Sequence, residues 1–586
     1  DMEVLVNRLL ESPAVSAVLA QELDLLMVDE FQDTSPIQLE IFLKLSKLAK
    51  YSVWVGDPKQ SIYGFRGAAP ELMQAIIRKV GGVKPDDIQE FSWRSRAGIV
   101  NAVNAIFTRA FPDIPAEQVA LKAKRTEGPP ELQSPLMHWH FRYDGEGRLP
   151  GRPWMENCIA DALRQVLERR IHVIPKGAST PRPAVPGDVA ILCRSNAECQ
   201  LVAEALHRAG LRAAISRSGL LATAEARLIL ACMKYILNQY DSLSVAEILL
   251  LASGQDIEEI IESRLDYLEE TDNGKNRNGQ WAGDDAFILA LDRLREQTIE
   301  LSSAEILNLL LEELELRRII ASWGNQQQRL DNVEVMRKLA LQYEEACNRL
   351  HSAASLGGFL LWLADLENND ADMQGSGEGP GAVNVLTYHK SKGLEWPIVI
   401  CHSLEGNLRA EVWGVDIIQE SEEVDLNNVL GNRWLRYWVN PYADQIRNTY
   451  LDEQLSESEP DRRAREKALQ EEARLLYVGI TRARDYLIIP SRARSTKWLN
   501  RVWNEGEEDH PTLSPDSHES PWEWNGEYLR IETEVFHFPR DFAQAEPRKE
   551  EIRFLAERAG RQQYELYDID AAKEAFSEEM SARIGD

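Results

Sequence analysis

Cysteine is scarce in this chain of 586 residues: Cys158, Cys193, Cys199, Cys232, Cys347 and Cys401 are all there is, with no CxxC pair and no even spacing. That excludes a disulfide framework and an iron–sulfur pattern, and the thiols are read as the reduced ones of a cytoplasmic protein. Long apolar runs are missing too. No stretch approaches the roughly 18 to 20 residues that a membrane span needs, and no charged-then-apolar leader opens the sequence. Basic charge is in deficit, 66 Lys and Arg against 95 Asp and Glu, for a formal net charge of −29. A uniformly basic surface is thereby excluded, but phosphate binding needs only local Lys and Arg, whose placement composition leaves open. What is present is an ordinary globular balance, 44% hydrophobic and 27% charged, enough for a sizeable core. The length suggests roughly three to four domains.

Residues 23–30 form a short apolar run that ends in two carboxylates, Asp29 and Glu30. Such a run suits a buried strand of a parallel sheet, although periodicity alone does not exclude part of a helix. In open α/β sheets the chemistry sits outside the carboxyl ends of the strands. There one carboxylate can hold Mg²⁺ while its neighbour orients or deprotonates a water. Taken alone, the pair reads equally as a solvated acidic turn. It is not alone: a second run, 51–56, ends in Asp57 and is followed by Pro58-Lys59-Gln60-Ser61-Ile62-Tyr63-Gly64-Phe65-Arg66-Gly67-Ala68. This stretch holds a turn, an amide able to reach a terminal phosphate, and an aromatic/Arg cluster suited to stacking on unpaired bases. Core packing is the competing reading of Tyr63 and Phe65.

Asp29-Glu30-Phe31-Gln32-Asp33-Thr34 followed by Gly56-Asp57-Pro58-Lys59-Gln60-Ser61-Ile62-Tyr63-Gly64-Phe65-Arg66-Gly67-Ala68 resembles motifs II and III of the UvrD/RecB-type superfamily-one DNA helicases, closer to the RecB/AddA branch than to UvrD. Three further blocks follow in the family's order. Phe91-Ser92-Trp93-Arg94-Ser95 is similar to motif IV and residues 387–396 (TYHKSKGLEW) to motif V. Residues 472–483 (EARLLYVGITRA) are similar to motif VI.

The resemblance implies ATP and Mg²⁺ as cofactors and DNA, single-stranded or duplex, as partner. It implies Asp29 as the Mg²⁺ ligand, Glu30 as the group that activates water, and Gln60 as γ-phosphate sensor. Arg94 and Arg482 would be arginine fingers reaching across a cleft, because a guanidinium fork stabilises charge on the γ-phosphoryl oxygens. Asp57, Gly393 and Glu395 join the nucleotide site, with Glu395 on the ribose. Tyr63, Phe65, Arg66, Thr387 and His389 are implied for single-stranded DNA.

One departure stands out. The family's phosphate-binding loop ends in Gly-Lys-Ser/Thr upstream of motif II. No such tripeptide occurs in these 586 residues, Gly274-Lys275-Asn276 lacking the hydroxyl. The expectation is therefore a fragment that does not hydrolyse ATP by itself.

The fold expected is α/β, with RecA-like P-loop NTPase domains of parallel sheet flanked by helices. Residues 1–88 would be the C-terminal half of domain 1A. Residues 89–230 and 380–495 would be the two parts of domain 2A, including strands at 188–194, 396–400 and 486–489. Residues 231–379 would form a helical 2B insertion, on the spacing of Val245, Ile248, Leu249 and Ala252, then Ile306, Leu309, Leu310 and Leu314. The charged run 452–474 reads as a solvated helix entering motif VI. The tail from 496 carries no assignment; Asp568, Asp570 and Lys573 are its nearest approach to a nuclease metal site. His138 and His140 on one face of a strand make half a metal site, an ordinary surface strand being the preferred reading. The function expected is an ATP-dependent 3′→5′ helicase or translocase of bacterial, cytoplasmic double-strand-break repair, partnered by a second nuclease/helicase subunit. The alternative is a non-catalytic DNA-binding or scaffolding subunit with the same fold.

Overall fold

The two apolar runs that end in carboxylates become neighbouring strands, β1 (Leu25–Val28) and β2 (Tyr51–Trp54), parallel and in register from Leu25 opposite Tyr51 to Val28 opposite Trp54. Parallel neighbours need a crossover, and helix α1 (Pro36–Leu48) supplies it. Its start is written in the sequence: Ser35 and Gln38 form a reciprocal capping box, with Pro36 in the first turn. Leu39 and Leu43 then pack with Val28 and Phe31, and Phe31 meets Trp54 edge-on at 4.8 Å.

The computed structural model describes residues 2–64, 70–79, 81–143, 150–178, 180–215, 219–272, 280–298, 300–324, 326–368, 372, 374–375, 381–410, 412–419, 424–440, 445, 449–492, 496–540 and 542. Phe65, Arg66, residues 274–276 and the acidic positions Asp568 and Asp570 with Lys573 lie outside them.

The largest sheet is parallel throughout its described pairings. Six of its strands are β3 (Leu136–Tyr143), β4 (Val189–Cys193), β5 (Ala382–Thr387), β6 (Trp396–Cys401), β7 (Ala483–Arg492) and β8 (Glu532–Phe538). They lie in the order β8-β3-β7-β6-β4-β5. β4 and β7 are buried along their whole length; β4 is apolar throughout, as a central parallel strand requires, whereas β7 carries buried Arg484, Asp485, Ser491 and Arg492 on either side of its apolar centre. The fold is α/β, as the sequence reading has it. Helix α2 (Ala97–Ala110) and helix α3 (Glu459–Ile480) pack on this sheet through Ile99, Phe107, Tyr477 and Leu476. Within the charged run, a shorter helix, Tyr450–Ser456, precedes α3, whose own end is the motif VI segment.

The described part of the tail is integral to the sheet. Helix α4 (Lys497–Trp503) buries Trp498, and β8 pairs in parallel with β3, seating Phe536 and Phe538 beside Phe141. Contacts divide the chain into a unit of Asp1–Leu211 with Val383–Ala543 and a second unit holding Arg212–Ala382. The second is helical from Ala224–Leu237 to Leu356–Asn368, and Val245, Ile248, Leu249, Ile306, Leu310 and Leu314 lie in its core. Among the described residues no helix is long and apolar enough to cross a membrane.

His138 and His140 do not lie on a surface strand. They are 1% and 4% exposed on β3, inside the sheet, and share the Ser491 hydroxyl of β7 at 2.7 and 3.0 Å. No group of three metal-capable side chains occurs among the described residues. Burial lowers both imidazoles from 6.5 to about 4. A ring kept neutral in the fold but free to protonate when unfolded contributes stability that is complete above about 6.5 and is lost as pH falls toward 4. We expect a loss on the order of 2 to 3 kcal/mol per ring across that window. Thermal unfolding of the wild type and of a His138→Gln/His140→Gln chain between pH 4 and 7.5 checks it. The wild-type midpoint should fall more steeply below 6.5 than that of the double variant.

Candidate nucleotide site and nucleic-acid interface

Asp29 and Glu30 emerge exposed from the carboxyl end of β1. Glu30 sits at φ 52°, ψ 38°, a left-handed backbone unusual for a residue with a side chain. Its N–H donates to Asp29 Oδ1 at 2.8 Å, and its carboxylate accepts from the Gln32 side-chain amide. At the end of β2, Asp57 caps the short turn Pro58–Gln60. Its carboxylate accepts from Lys59 N at 3.1 Å and from the Gln60 amide at 2.9 Å, and pairs with Lys59 Nζ at 2.9 Å.

Motif V meets these acidic ends through one ammonium. Lys392, its side chain only 7% exposed, pairs with Asp33, lies 3.4 Å from Glu30 Oε2 and donates to the Gln60 carbonyl oxygen at 3.0 Å. Its Nζ also stands 5.3 Å from the centre of the Tyr63 ring, which is half-buried. Burial raises Asp33, and Lys392 works against that rise. The next residue, Gly393, turns the chain at φ 81°, a conformation glycine alone adopts without strain.

Two residues further on, Glu395 receives Arg94 Nε at 2.8 Å and Lys176 Nζ at 3.1 Å. Burial opposes its ionisation, but these two donors outweigh it and hold the carboxyl below its usual range. Arg94 also donates to the Thr481 carbonyl oxygen at 2.8 Å. Arg482, 2% exposed, donates to the carbonyl oxygens of Val478 and Leu394 at 2.8 and 3.3 Å. Burial, and Arg94 beside it, lower its guanidinium to about 10, while Glu30 is among the charges acting the other way. Arg94, Glu395 and Arg482 thus form one cluster, and Glu30, Asp57, Gln60 and Lys392 a second. The donor set suits Mg²⁺, which takes one or two carboxylates and completes its shell with phosphate oxygens and water rather than a protein cage. Asp29 and Glu30 are such carboxylates.

Comparison with known proteins agrees with the order of these segments. The UvrD-like helicase C-terminal domain matches residues 179–494, and the UvrD/REP helicase N-terminal domain matches residues 1–81. The chain belongs to the UvrD-like helicase family. Three curated relatives, each named as an ATP-dependent helicase/nuclease subunit, point to the RecB/AddA branch. The Carboxydothermus hydrogenoformans protein is 26% identical over 489 residues, 79% of this chain and 40% of that protein. The Lactobacillus delbrueckii subsp. bulgaricus protein is 26% identical over 528 residues, 84% and 41%. The Geobacillus thermodenitrificans protein is 25% identical over 552 residues, 87% and 43%. The chain therefore spans about two fifths of the length of these relatives.

Of the residues that the UvrD-like resemblance implies for DNA, Phe65 and Arg66 fall outside the described structure. Thr387 ends β5, its hydroxyl accepting from Lys390 N at 3.3 Å, and the half-buried His389 follows two residues on. Both therefore lie at the carboxyl end of the large sheet, whereas Glu395 and Arg482 immediately precede β6 and β7 at its amino end. Between them Tyr388 is fully buried, donating to the His402 carbonyl oxygen at 2.8 Å.

Sequence reading missed Lys392, Gln32 and Trp93, although all three stand inside the blocks it quoted. The signal for Trp93 was adjacency to Arg94; it is 74% exposed, with Lys124 Nζ 5.4 Å from its ring. Motifs V and VI also interlock sterically. A Cβ on Gly479 would collide with Tyr388 Cδ1 and Cε1, and the Tyr388 ring is boxed in by Trp498 at 4.9 Å. Gly479→Ala should accordingly cost about 2 to 3 kcal/mol through overpacking. Urea unfolding measures it; a midpoint equal to wild type would show that the ring has room to move.

Proposed function

We propose that this chain is the working part of an ATP-dependent 3′→5′ DNA helicase or translocase of the UvrD/RecB/AddA type, acting in recombinational repair of double-strand breaks. The observation that carries the reading is the meeting of two clusters that such a motor keeps on opposite sides of its nucleotide: Asp29, Glu30, Asp57 and Gln60 on one, Arg94, Glu395 and Arg482 on the other. Residues 1–88 then belong to domain 1A, 89–230 with 380–495 to domain 2A, and 231–379 to the 2B insertion.

In this reading Asp29 holds Mg²⁺, and Glu30 orients a water and accepts its proton on a carboxylate oxygen. Gln60 faces the terminal phosphate, Glu395 the ribose, and Asp57 and Gly393 shape the pocket around them. Arg94 and Arg482 offer fixed guanidinium donors to the charge that gathers on the transferred group. When bound, Mg-ATP supplies the phosphoryl group whose transfer to water drives the cycle. Tyr63, Phe65 and Arg66 with Thr387 and His389 contact single-stranded DNA by stacking and phosphate pairing. The protein works in the bacterial cytoplasm beside a second nuclease/helicase subunit.

These 586 residues contain no Gly-Lys-Ser/Thr, so the phosphates lack their usual backbone cradle here. ATP turnover with and without single-stranded DNA tests the proposal, measured on the chain and on the chain fused behind a segment bearing that loop. We expect no turnover by the chain alone and DNA-stimulated turnover by the fusion. Glu30→Gln should reduce the latter by about 10²- to 10⁴-fold. Turnover by the chain alone would show that the loop is dispensable. A silent fusion that still binds DNA would make the protein a scaffolding subunit.

A further inference from the structure

Gln32 is 1% exposed and stands between the two acidic strand ends. Its side-chain amide donates to Glu30 Oε2, and its side-chain oxygen accepts from the Asp57 N–H at 2.9 Å. The Asp57 carboxylate in turn accepts from the Gln60 amide at 2.9 Å. Glu30, Gln32, Asp57 and Gln60 therefore form one unbroken line of hydrogen bonds from the end of β1 to the turn after β2. The Gln32 backbone is tied down as well, its carbonyl oxygen accepting from the Ser61 hydroxyl at 2.9 Å.

Two features accord with this line. A Cβ on Gly56 would lie 2.8 Å from Gln32 Oε1 and 3.3 Å from both Gln32 N and Phe31 Cβ, its tightest contact being with the Gln32 side chain, so glycine at 56 leaves room for it. The left-handed backbone of Glu30 costs free energy and persists only where its surroundings hold it. The Gln32 amide on its carboxylate and Asp29 on its N–H belong to those surroundings, together with Lys392 near the carboxylate and the Asp33 N–H on the Glu30 carbonyl oxygen.

We propose that Gln32 is a positioning residue, which fixes the Glu30 carboxylate relative to the Asp57–Gln60 turn. This deepens the function proposed above and rests on it for the roles of Glu30 and Gln60. The chemistry calls for an amide, since one end of the side chain must donate to a carboxylate and the other accept from an N–H. A glutamate keeps the acceptor for Asp57 but sets a like charge against Glu30. A leucine of similar size supplies neither.

The test compares wild type with Gln32→Glu, Gln32→Leu and Gly56→Ala, reading backbone amide exchange in the 586-residue chain and ATP turnover in the loop-bearing fusion. The Asp57 amide should exchange at least about tenfold faster in Gln32→Leu and Gly56→Ala and stay protected in Gln32→Glu. The Glu30 amide should exchange faster in both Gln32 variants. Gln32→Glu should lower kcat by at least about tenfold with KM for ATP within about twofold, the mark of lost alignment rather than lost binding. Unchanged Asp57 exchange in Gln32→Leu and Gly56→Ala would overturn the line. Wild-type Glu30 exchange and kcat in Gln32→Glu would overturn the positioning of Glu30. If the wild-type fusion does not turn over ATP, the function proposed above fails while the exchange data still decide whether Gln32 holds the two ends.

Discussion

One buried ammonium joins parts of the chain that are far apart in sequence. Lys392 reaches Asp33, Glu30 and the Gln60 carbonyl from a turn 359 residues downstream of Asp33. An ammonium with its side chain 7% exposed is costly to desolvate, and it is tolerable here because two carboxylates and a carbonyl oxygen surround it. The residues that follow it depend on the same turn. Gly393 makes the bend, the Leu394 carbonyl oxygen accepts from Arg482, and Glu395 accepts from Arg94. A loosened Lys392 would therefore disturb both clusters at once.

The same segment connects the two ends of the large sheet. β5 and β6 are parallel to β4 between them, so the eight residues 388–395 must run from the carboxyl end of the sheet to its amino end. Thr387 and His389 lie where that crossover begins, and Glu395 lies where it ends. Its start is pinned by Tyr388 packed against Gly479 and its middle by Lys392 on the acidic cluster. The crossover thus links the two ends of the sheet.

Much of this was legible in the sequence because the motifs are local. The runs ending in Asp29 and Asp57 are strands, the apolar stretches read at 188–194, 396–400 and 486–489 lie in strands 189–193, 396–401 and 483–492, and the charged run before motif VI is largely helical. What sequence could not show were partners chosen by tertiary structure. Nothing in the spacing of Lys392 names Asp33, and nothing in Gln32 names Asp57. The tail escaped because its edge strand puts Glu532 and Glu534 on the same face as the buried Phe536 and Phe538, so no clean alternation marks it, and its Trp498 and Trp522 anchors stand on a short helix and a separate strand. His138 and His140 were placed on a surface strand because alternation fixes which side chains share a face, not whether that face is buried. Here it is buried, and Ser491 of the neighbouring strand, 353 residues from His138, hydrogen-bonds both rings.

The most direct test of the central interaction is a double-mutant cycle on the Lys392–Asp33 pair, with Lys392→Met, Asp33→Asn and the double variant unfolded in urea. Removing either partner alone strips the other of its nearest counter-charge, leaving Lys392 only Glu30 and the Gln60 carbonyl oxygen in the one case, whereas removing both takes away the two charges together. A coupling of at least about 1.5 kcal/mol is predicted, with the double variant more stable than the sum of the single losses. Additivity within about 0.5 kcal/mol would mean that the pair is incidental and that the two clusters are held together by something else.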